Sequence, residues 1–566
     1  MTAPATTVLL NADVRPMVTD GGRAEALAWR GDALLAVGSR AEVLRVAGPD
    51  VTVRDLHGAT VLPGFIDAHH HPSIAALYGA LVRLTPPGVT DIPSLQRAIA
   101  DAAGALPPGA WLVTLDWDES RLRERRAPTA HELDEAAPHH PVFALHYSCH
   151  RAVANHRALA LAGIDAQAVD PPGGAISRDH RGRPDGLLLE RGMSRVEAIA
   201  RASLLARDVQ GVCARLAAHH RAMLAVGITR VVDAAVPGDL VAMYREAQRQ
   251  GALRVPTVMF PTATSGYLDE PWEALDGAPT GHRDGLLEVG AVKLVLDGAP
   301  VCHMCLRVGQ SLGVLRRAWA MAARDRSLDP VRTALSVRPR LGRDGRLHAG
   351  LAIYRPDEAT RMVAAAVARG FGVASHAIGN AAIETALDAY DHAGPALHRA
   401  ARPRVEHGSF ASPAQVARLA ATGVAVVTQP GFVAMPAMRD APEIPGLPHI
   451  PLRSLLDAGA LVAGSSDHPV TGFDPLDGVR AAVSRRNARG EVTEPDQRVS
   501  PDEALALYTR SAAVASGCAD RCGTLAPGLR ADLVVLSGTL RRTGDLDGLR
   551  VVETVLGGET VFARAP

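Results

Sequence analysis

Eight apolar, strand-like runs separated by alanine-rich amphipathic stretches predict an α/β chain built as a TIM-type (β/α)8 barrel. Two further observations complete that expectation. Short strand patterns of one texture occupy both chain ends, so residues 1–60 and 500–566 are expected to combine into one small β-sandwich around a barrel in residues 61–499. Residues 80–205, between the first and second strands, are too many for a simple crossover and read as an inserted subdomain.

At 566 residues the chain has room for that arrangement, and its 47% apolar and 21% charged shares are those of a folded globular protein. The formal net charge is zero, which gives no electrostatic footprint for nucleic acid or an anionic membrane. The opening residues M-T-A-P-A-T-T-V-L-L-N have neither a basic start nor a long apolar core, and no apolar run would span a bilayer. A cytoplasmic location follows as the default. The expected partner is a small-molecule substrate, with a homodimer left open. Six cysteines are few for this length. Cys302 and Cys305 make a lone C-x-x-C, and Cys518 and Cys522 have the wrong spacing to complete a structural zinc site.

The N-terminal strands read as T-V-L-L, A-L-A-W, A-L-L-A-V-G and V-T-V-R-D-L; from about Gly523 the pattern returns as A-D-L-V-V-L and V-V-E-T-V-L-G-G-E-T-V-F. The eight barrel strands are expected at 60–68, 227–233, 254–260, 289–297, 371–376, 404–407, 423–428 and 460–467. Helical patterns lie between most of them, as at 356–369, 383–392 and 412–421. The insertion has its own strand patterns, W-L-V-T-L-D-W and P-V-F-A-L-H-Y, and a turn-rich P-P-G-G-A-I-S-R-D-H-R-G-R-P-D-G. The basic, irregular stretch 311–347 has no predicted role.

The fourth strand holds the chain's one lysine, Lys293; the other 59 of its 60 basic side chains are arginines. Arginine stays protonated in any protein setting, whereas a desolvated lysine can shed its proton and become a nucleophilic amine. Such an amine can form a Schiff base, act as a base, or add carbon dioxide to give an anionic carbamate. A salt-bridged structural lysine is the plain alternative.

The strand ends narrow the choice. The first ends D-A-H-H-H-P, which puts His69 and His71 on one face. The fifth ends at His376, the sixth at His407 in V-E-H-G, and the eighth at Asp467 in G-S-S-D-H-P. A barrel brings such ends to one mouth, and imidazoles converging there form a metal site.

These residues sit within P-G-F-I-D-A-H-H-H-P (63–72), P-P-G-G-A-I (171–176), G-A-V-K-L-V-L-D-G (290–298), S-H-A-I-G-N (375–380), R-V-E-H-G (404–408), S-D-H-P-V (466–470) and G-T-L-A-P-G-L-R-A-D-L-V-V-L (523–536). In that order the chain resembles the amidohydrolase superfamily, and within it the YtcJ-like branch that includes N-substituted formamide deformylases. The resemblance implies a metal-dependent hydrolase of amide-type C–N bonds. His69, His71 and Asp467 would hold one divalent ion, and Lys293, as a carbamate, would bridge to a second held by His376 and His407. Zinc is the usual metal, one or two ions per chain, and nitrogen and oxygen ligands also admit iron or manganese. Metal-activated hydroxide would attack the carbonyl, with Asp467 as general base. Asn380 stands where the branch usually has aspartate, which would weaken a contact behind the ligands. The 299–306 loop A-P-V-C-H-M-C-L departs from the branch pattern and is assigned to substrate selection. Trp117, His150 and His303 are the proposed pocket-lining residues. A deaminase or cyclic-amide hydrolase using the same site, a Schiff-base lysine enzyme, and a non-catalytic scaffold are the alternatives.

Overall fold

The computed structural model describes residues 5–19, 21–263, 265, 273–298, 302–325, 331, 339–342, 344–435, 443–540 and 546–564. Two five-stranded sheets form its centre. In one, parallel pairing joins Phe65–His70 to Ile228–Val236, Thr257–Pro261 and Leu287–Val289, with the short Arg283–Asp284 antiparallel at the edge. In the other, parallel pairing runs from Val292–Val295 through Val373–Ala377, Arg404–His407 and Ala425–Thr428 to Val462–Gly464. At the seam between first and last strands the Asp467 N–H donates to the His69 carbonyl at 2.8 Å, and the His71 N–H to the His468 carbonyl at 3.0 Å. Every residue of the 65–70, 373–377, 404–407 and 425–428 strands is buried. Parallel strands covered on both faces have no solvent side, which is why these runs are apolar without alternation.

Three expected strands are divided or shortened. The 60–68 run is two strands: Thr60–Pro63 pairs with the C-terminal Leu533–Leu536, and only Phe65–His70 joins the parallel set. Gly64 is the joint, since a Cβ there would stand 2.2 Å from Thr229 Oγ1. The 289–297 run breaks between Val289 and Val292 at Gly290, whose Cβ would meet the Phe260 ring at 2.5 Å. Close passage against a bulky neighbour admits only glycine at either point. The eighth run is regular only over Val462–Gly464. The helices lie near their expected places, at Pro356–Ala368, Asn380–Ala393 and Pro413–Thr422.

The two chain ends meet. One sheet has the order 33–38, 26–30, 6–10, 51–55; the other runs 13–14, 60–63, 533–536, 551–556, 559–563. Leu9, Leu27, Trp29 and Leu34 from the first share a core with Val61, Leu533, Val535 and Val555 from the second. Residues 501–515, expected with this region, instead form the helices Pro501–Leu507 and Arg510–Ala515. Ala512, Ala513 and Ala515 pack against Ile66, Ala68, Ala425, Val427 and Ala463 of the barrel strands.

Within 80–205, six strands form one sheet in the order 174–178, 184–190, 151–154, 142–146, 112–117, 82–83. The helix Ser194–Ala225 then leads back to the second parallel strand. On the rim of this sheet Glu119 lies 2.8 Å from Arg151 and 3.2 Å from His146, with about a third of its side chain exposed (32%). Burial pushes this carboxyl up, but His146 and Arg151 outweigh it and hold it at about 2. A depressed carboxylate stabilises above its unfolded pKa and loses that contribution as pH falls through the folded value. Glu119→Gln is therefore expected to cost about 1–2 kcal/mol at pH 7, after allowance for solvent screening. The gap in thermal midpoint between variant and parent should close as pH falls from about 4.5 to about 2; a gap unchanged by acid would refute the pairing.

Of the unassigned 299–347 stretch, Met304–Leu306, Arg340–Leu341 and Leu347–Ala349 form a three-stranded sheet and Val308–Asp325 a helix. Residues 299–301, 326–330, 332–338 and 343, including the start of the predicted selection loop, lie outside the described residues. Among those described, no helix is long and apolar enough to cross a membrane.

Candidate metal centre

The first parallel strand, Phe65–His70, carries His69, and His71 follows at its end as the residue before the helix Pro72–Tyr78. His69 Nδ1 lies 2.5 Å from Glu406 Oε2 and its Nε2 lies 3.3 Å from Asp467 Oδ1. His71 Nε2 lies 3.1 Å from the same Asp467 oxygen. The His69 and His407 ring centroids are 5.0 Å apart, and those of His376 and His407 are 4.4 Å apart. One ligand atom each from His69, His407 and Asp467 falls within a 4.8 Å sphere of mutual distance. Asp467 is thus the hub that both halves of the expected ligand set share.

Two residues reach this hub by leaving the strand pattern. His407 and Asp467 have φ of +70° and +56°. Left-handed backbone costs a residue with a Cβ about 1–2 kcal/mol. Here it ends each strand with a turn of the chain, so that Glu406 reaches His69 while its neighbour His407 reaches His376. Such strain is concentrated where the surroundings over-determine it.

Lys293 is 3% exposed and makes no hydrogen bond or ion pair among the described residues. Burial pushes its amine down, the charges of Glu406 and Asp467 push back, and the result is about 8. Burial takes His407 down to about 3, and takes His376 well below the usual histidine range with help from His407. Both imidazoles therefore offer free lone pairs at neutral pH. Burial would also lower His71, but Asp233 and Asp467 on either side raise it to about 9, so this position favours a cation. Asp467 is held well below the usual carboxylate range; burial opposes this, and His69 and His71 outweigh it.

The residues fit a divalent ion. His71 Nδ1, His376 Nε2 and Asp233 Oδ1 are buried without a hydrogen-bond partner. The nearest opposite groups are Asp233 Oδ1 at 3.7 Å from His71 Nδ1 and Asp297 Oδ1 at 3.5 Å from His376 Nε2, so carboxylates lie beside both rings without hydrogen-bonding these atoms. Imidazole nitrogen with carboxylate oxygen is a donor set for zinc and its neighbours.

The model for the amidohydrolase family matches residues 52–562 of this chain. The chain belongs to that family. The N-substituted formamide deformylase of Arthrobacter pascens is 32% identical over 100% of this chain and 99% of its own length. The putative amidohydrolase YtcJ of Bacillus subtilis is 27% identical over 97% of this chain and 98% of its own. Among solved structures, an uncharacterized metal-dependent hydrolase from Pyrococcus horikoshii superposes with a TM-score of 0.67 at 21% identity, covering 96% of this chain and 99% of that one. As an amidohydrolase, this chain is a hydrolase of carbon–nitrogen bonds other than peptide bonds, with a TIM-barrel-type α/β fold.

The amidohydrolase site includes supports that strand-end reading missed. Glu406 takes two bonds from Arg404, at 2.7 and 2.9 Å, besides the one from His69. Gln429 Oε1 sits 2.8 Å from His407 Nδ1. Each partner fixes the ring so that Nε2 faces the centre. Asp297 accepts from the N–H groups of His303, Ile378 and Gly379, and burial pushes it up to about 7. Glu406 was legible as the acid in V-E-H-G; Gln429 and Asp233 carry no signal without the fold. Replacing Glu406 by glutamine is expected to weaken metal affinity by about 10–100-fold. Competition with a chelator would measure it, and unchanged affinity would remove Glu406 from the orienting role.

Of the proposed lining residues, only His150 comes near the ligands. Its ring lies 5.4 Å from that of His376, and its Nδ1 is 2.9 Å from Glu190. Trp117 is a correction: it is fully buried in the core of the inserted sheet, its indole N–H donating to Ala144 O at 2.9 Å. An indole with its one donor satisfied by that sheet has no face for a ligand. His303 contacts the site through its backbone, and its ring neighbours His348 at 6.5 Å. Asn380 does not weaken a contact as expected. Its amide accepts from the Cys305 N–H and donates to the Cys305 carbonyl, both at 2.8 Å, and a carboxylate could not supply the second bond. Cys305 itself groups with Asp344 and His348, not with Cys302.

Proposed function

We propose that this amidohydrolase cleaves the amide C–N bond of a small N-formyl or N-acyl amine, using one or two divalent ions, zinc by preference, held by His69, His71, His376, His407 and Asp467 with Lys293 as a bridging carbamate. What supports this reading is that His69, Lys293, His376, His407 and Asp467 are buried and His71 nearly so, with His69, His407 and Asp467 offering ligand atoms within 4.8 Å of one another and His71 reaching the same Asp467 oxygen. The full-length likeness to a formamide deformylase supports the N-formyl class. The eight strands are taken to close as a barrel in residues 61–499, with the sheets of the two chain ends as a sandwich beside it and 80–205 as the insertion.

A bound ion would polarise the substrate carbonyl and bring the pKa of water toward neutrality. The remaining work falls to side chains. His376 and His407 stay neutral and hold their lone pairs inward, the latter because Gln429 fixes its other nitrogen. Asp467 accepts the proton of the attacking water and returns it to the leaving nitrogen, so that carbonyl–nitrogen cleavage yields an acid and an amine. A cavity of about 600 Å3 lies between the insertion and the loop after the last strand, walled by Arg83, Asp116, Tyr147, Ser466, Phe473 and Tyr508; none of the six proposed ligand residues lines it.

Incubation of metal-replete protein with a panel of N-formyl and N-acetyl amines tests the proposal. Release of formate or acetate with equimolar free amine is expected. Ammonia release or ring opening from cyclic amides, without turnover of the panel, would replace it with the deaminase or cyclic-amide reading.

A further inference from the structure

Three histidines outside the catalytic set meet at a second point. His70 projects from the opposite side of the strand that carries His69, His219 from the Ser194–Ala225 helix, and His468 from the loop after Asp467. His70 Nε2 and His219 Nε2 are 2.8 Å apart, and one ring nitrogen from each of the three lies within 4.8 Å of the others. Ring centroids are 5.0, 5.1 and 5.2 Å apart for the three pairs. The hydrogen bonds on the far side of two of these rings bear on their purpose. His70 Nδ1 lies 2.9 Å from Asp67 Oδ2, and His468 Nδ1 lies 2.8 Å from the Thr471 carbonyl. An N–H toward a carboxylate or carbonyl fixes the tautomer and leaves Nε2 as a bare acceptor. This is the arrangement by which proteins orient imidazoles onto a metal.

We propose that His70, His219 and His468 form a separate binding site for a borderline divalent cation of the zinc class, distinct from the catalytic centre. A tetrahedral ion at the usual zinc–nitrogen distance sets its ligand atoms about 3.3 Å apart. The His70–His219 pair then opens by about half an ångström from its hydrogen-bond contact. All-imidazole ligation suits zinc, cobalt, nickel or copper and not magnesium or calcium. Phe473 packs against all three rings, with centroids at 5.7, 5.1 and 4.8 Å, and shields one side from water. The ion would be structural. It would tie the first strand, the helix that follows the insertion, and the loop after the last strand into one unit. Asp67 belongs to that unit as well, accepting from Ser466 N–H at 3.0 Å and Ser466 Oγ–H at 2.5 Å. The segments so joined carry His69, His71 and Asp467, so this ion positions catalytic residues without touching substrate.

The test is cobalt stoichiometry on full-length protein, stripped of metal and reloaded, then passed through a metal-free column. His219→Ala and His219→Gln should each bind one cobalt fewer than the parent, while His407→Ala should keep the ion that the His219 variants lose. Circular dichroism restricts the comparison to folded variants. Copper-loaded His407→Ala supplies a reading on an intact triad: its electron paramagnetic resonance spectrum should show coupling to three equatorial nitrogens, lost on adding His219→Gln. Equal cobalt counts in parent and folded His219 variants, or a copper spectrum unaffected by His219→Gln, would overturn the proposal. The catalytic reading stands or falls separately, on whether His407→Ala lowers the count.

Discussion

Asp467→Asn should leave a folded protein whose turnover is reduced by about 10²–10⁴-fold or more, the range that general acid–base groups contribute. The substitution conserves volume at a residue only 8% exposed, so packing is kept. What it removes is the anion. Asp467 lies 3.1 Å from His71 and 3.3 Å from His69, and is ionised throughout the neutral range because those imidazoles hold its pKa down against burial. An asparagine can neither receive a proton from water nor balance the charge of a cation. Steady-state rates beside a circular dichroism spectrum would measure the effect. Activity within a factor of about ten of the parent would take the proton transfer away from Asp467.

Lys293→Ala should lose activity by about 10²-fold or more, the scale of several kcal/mol of electrostatic stabilisation. Acetate or propionate should restore part of it. The argument is that the deleted group acts as a carboxylate and not as an ammonium: a small acid can occupy the space the side chain leaves and supply the same two oxygens. The amine is 3% exposed and brought down to about 8, so a useful fraction is unprotonated and able to add carbon dioxide at neutral pH. Metal retained after chelator-free purification should correspondingly depend on bicarbonate in the parent and not in the variant. Full activity without added acid would remove Lys293 from the reaction, and trapping by borohydride in the parent with substrate would assign it to Schiff-base chemistry.

The residues proposed for the centre were legible because a parallel strand writes its end into the sequence. A buried strand is an apolar run, and a histidine or aspartate closing it has few reasons to be there other than the mouth it faces. The lone lysine inside V-G-A-V-K-L-V-L-D-G stood out for the same reason. The pocket residues were not legible. Trp117 ends one strand of the inserted sheet and His150 immediately precedes another, yet one is core and the other neighbours His376. Which face of a subdomain meets the site depends on docking, and docking leaves no periodic mark.

The sequence by itself determined the family and most of the order of strands, and it singled out the six residues proposed for the centre, since each is a local pattern of burial or ligand chemistry. Only the tertiary structure decided how they are held. Glu406 behind His69, Gln429 behind His407 and Asp233 beside His71 are separated from their partners by 337, 22 and 162 positions, or lie on other strands altogether. The same holds for His70, His219 and His468, which are ordinary histidines along the chain and a cluster only in space. Hydrogen bonds and metal ligation act over about 2–3 Å, and only the folded backbone sets which groups come within that reach.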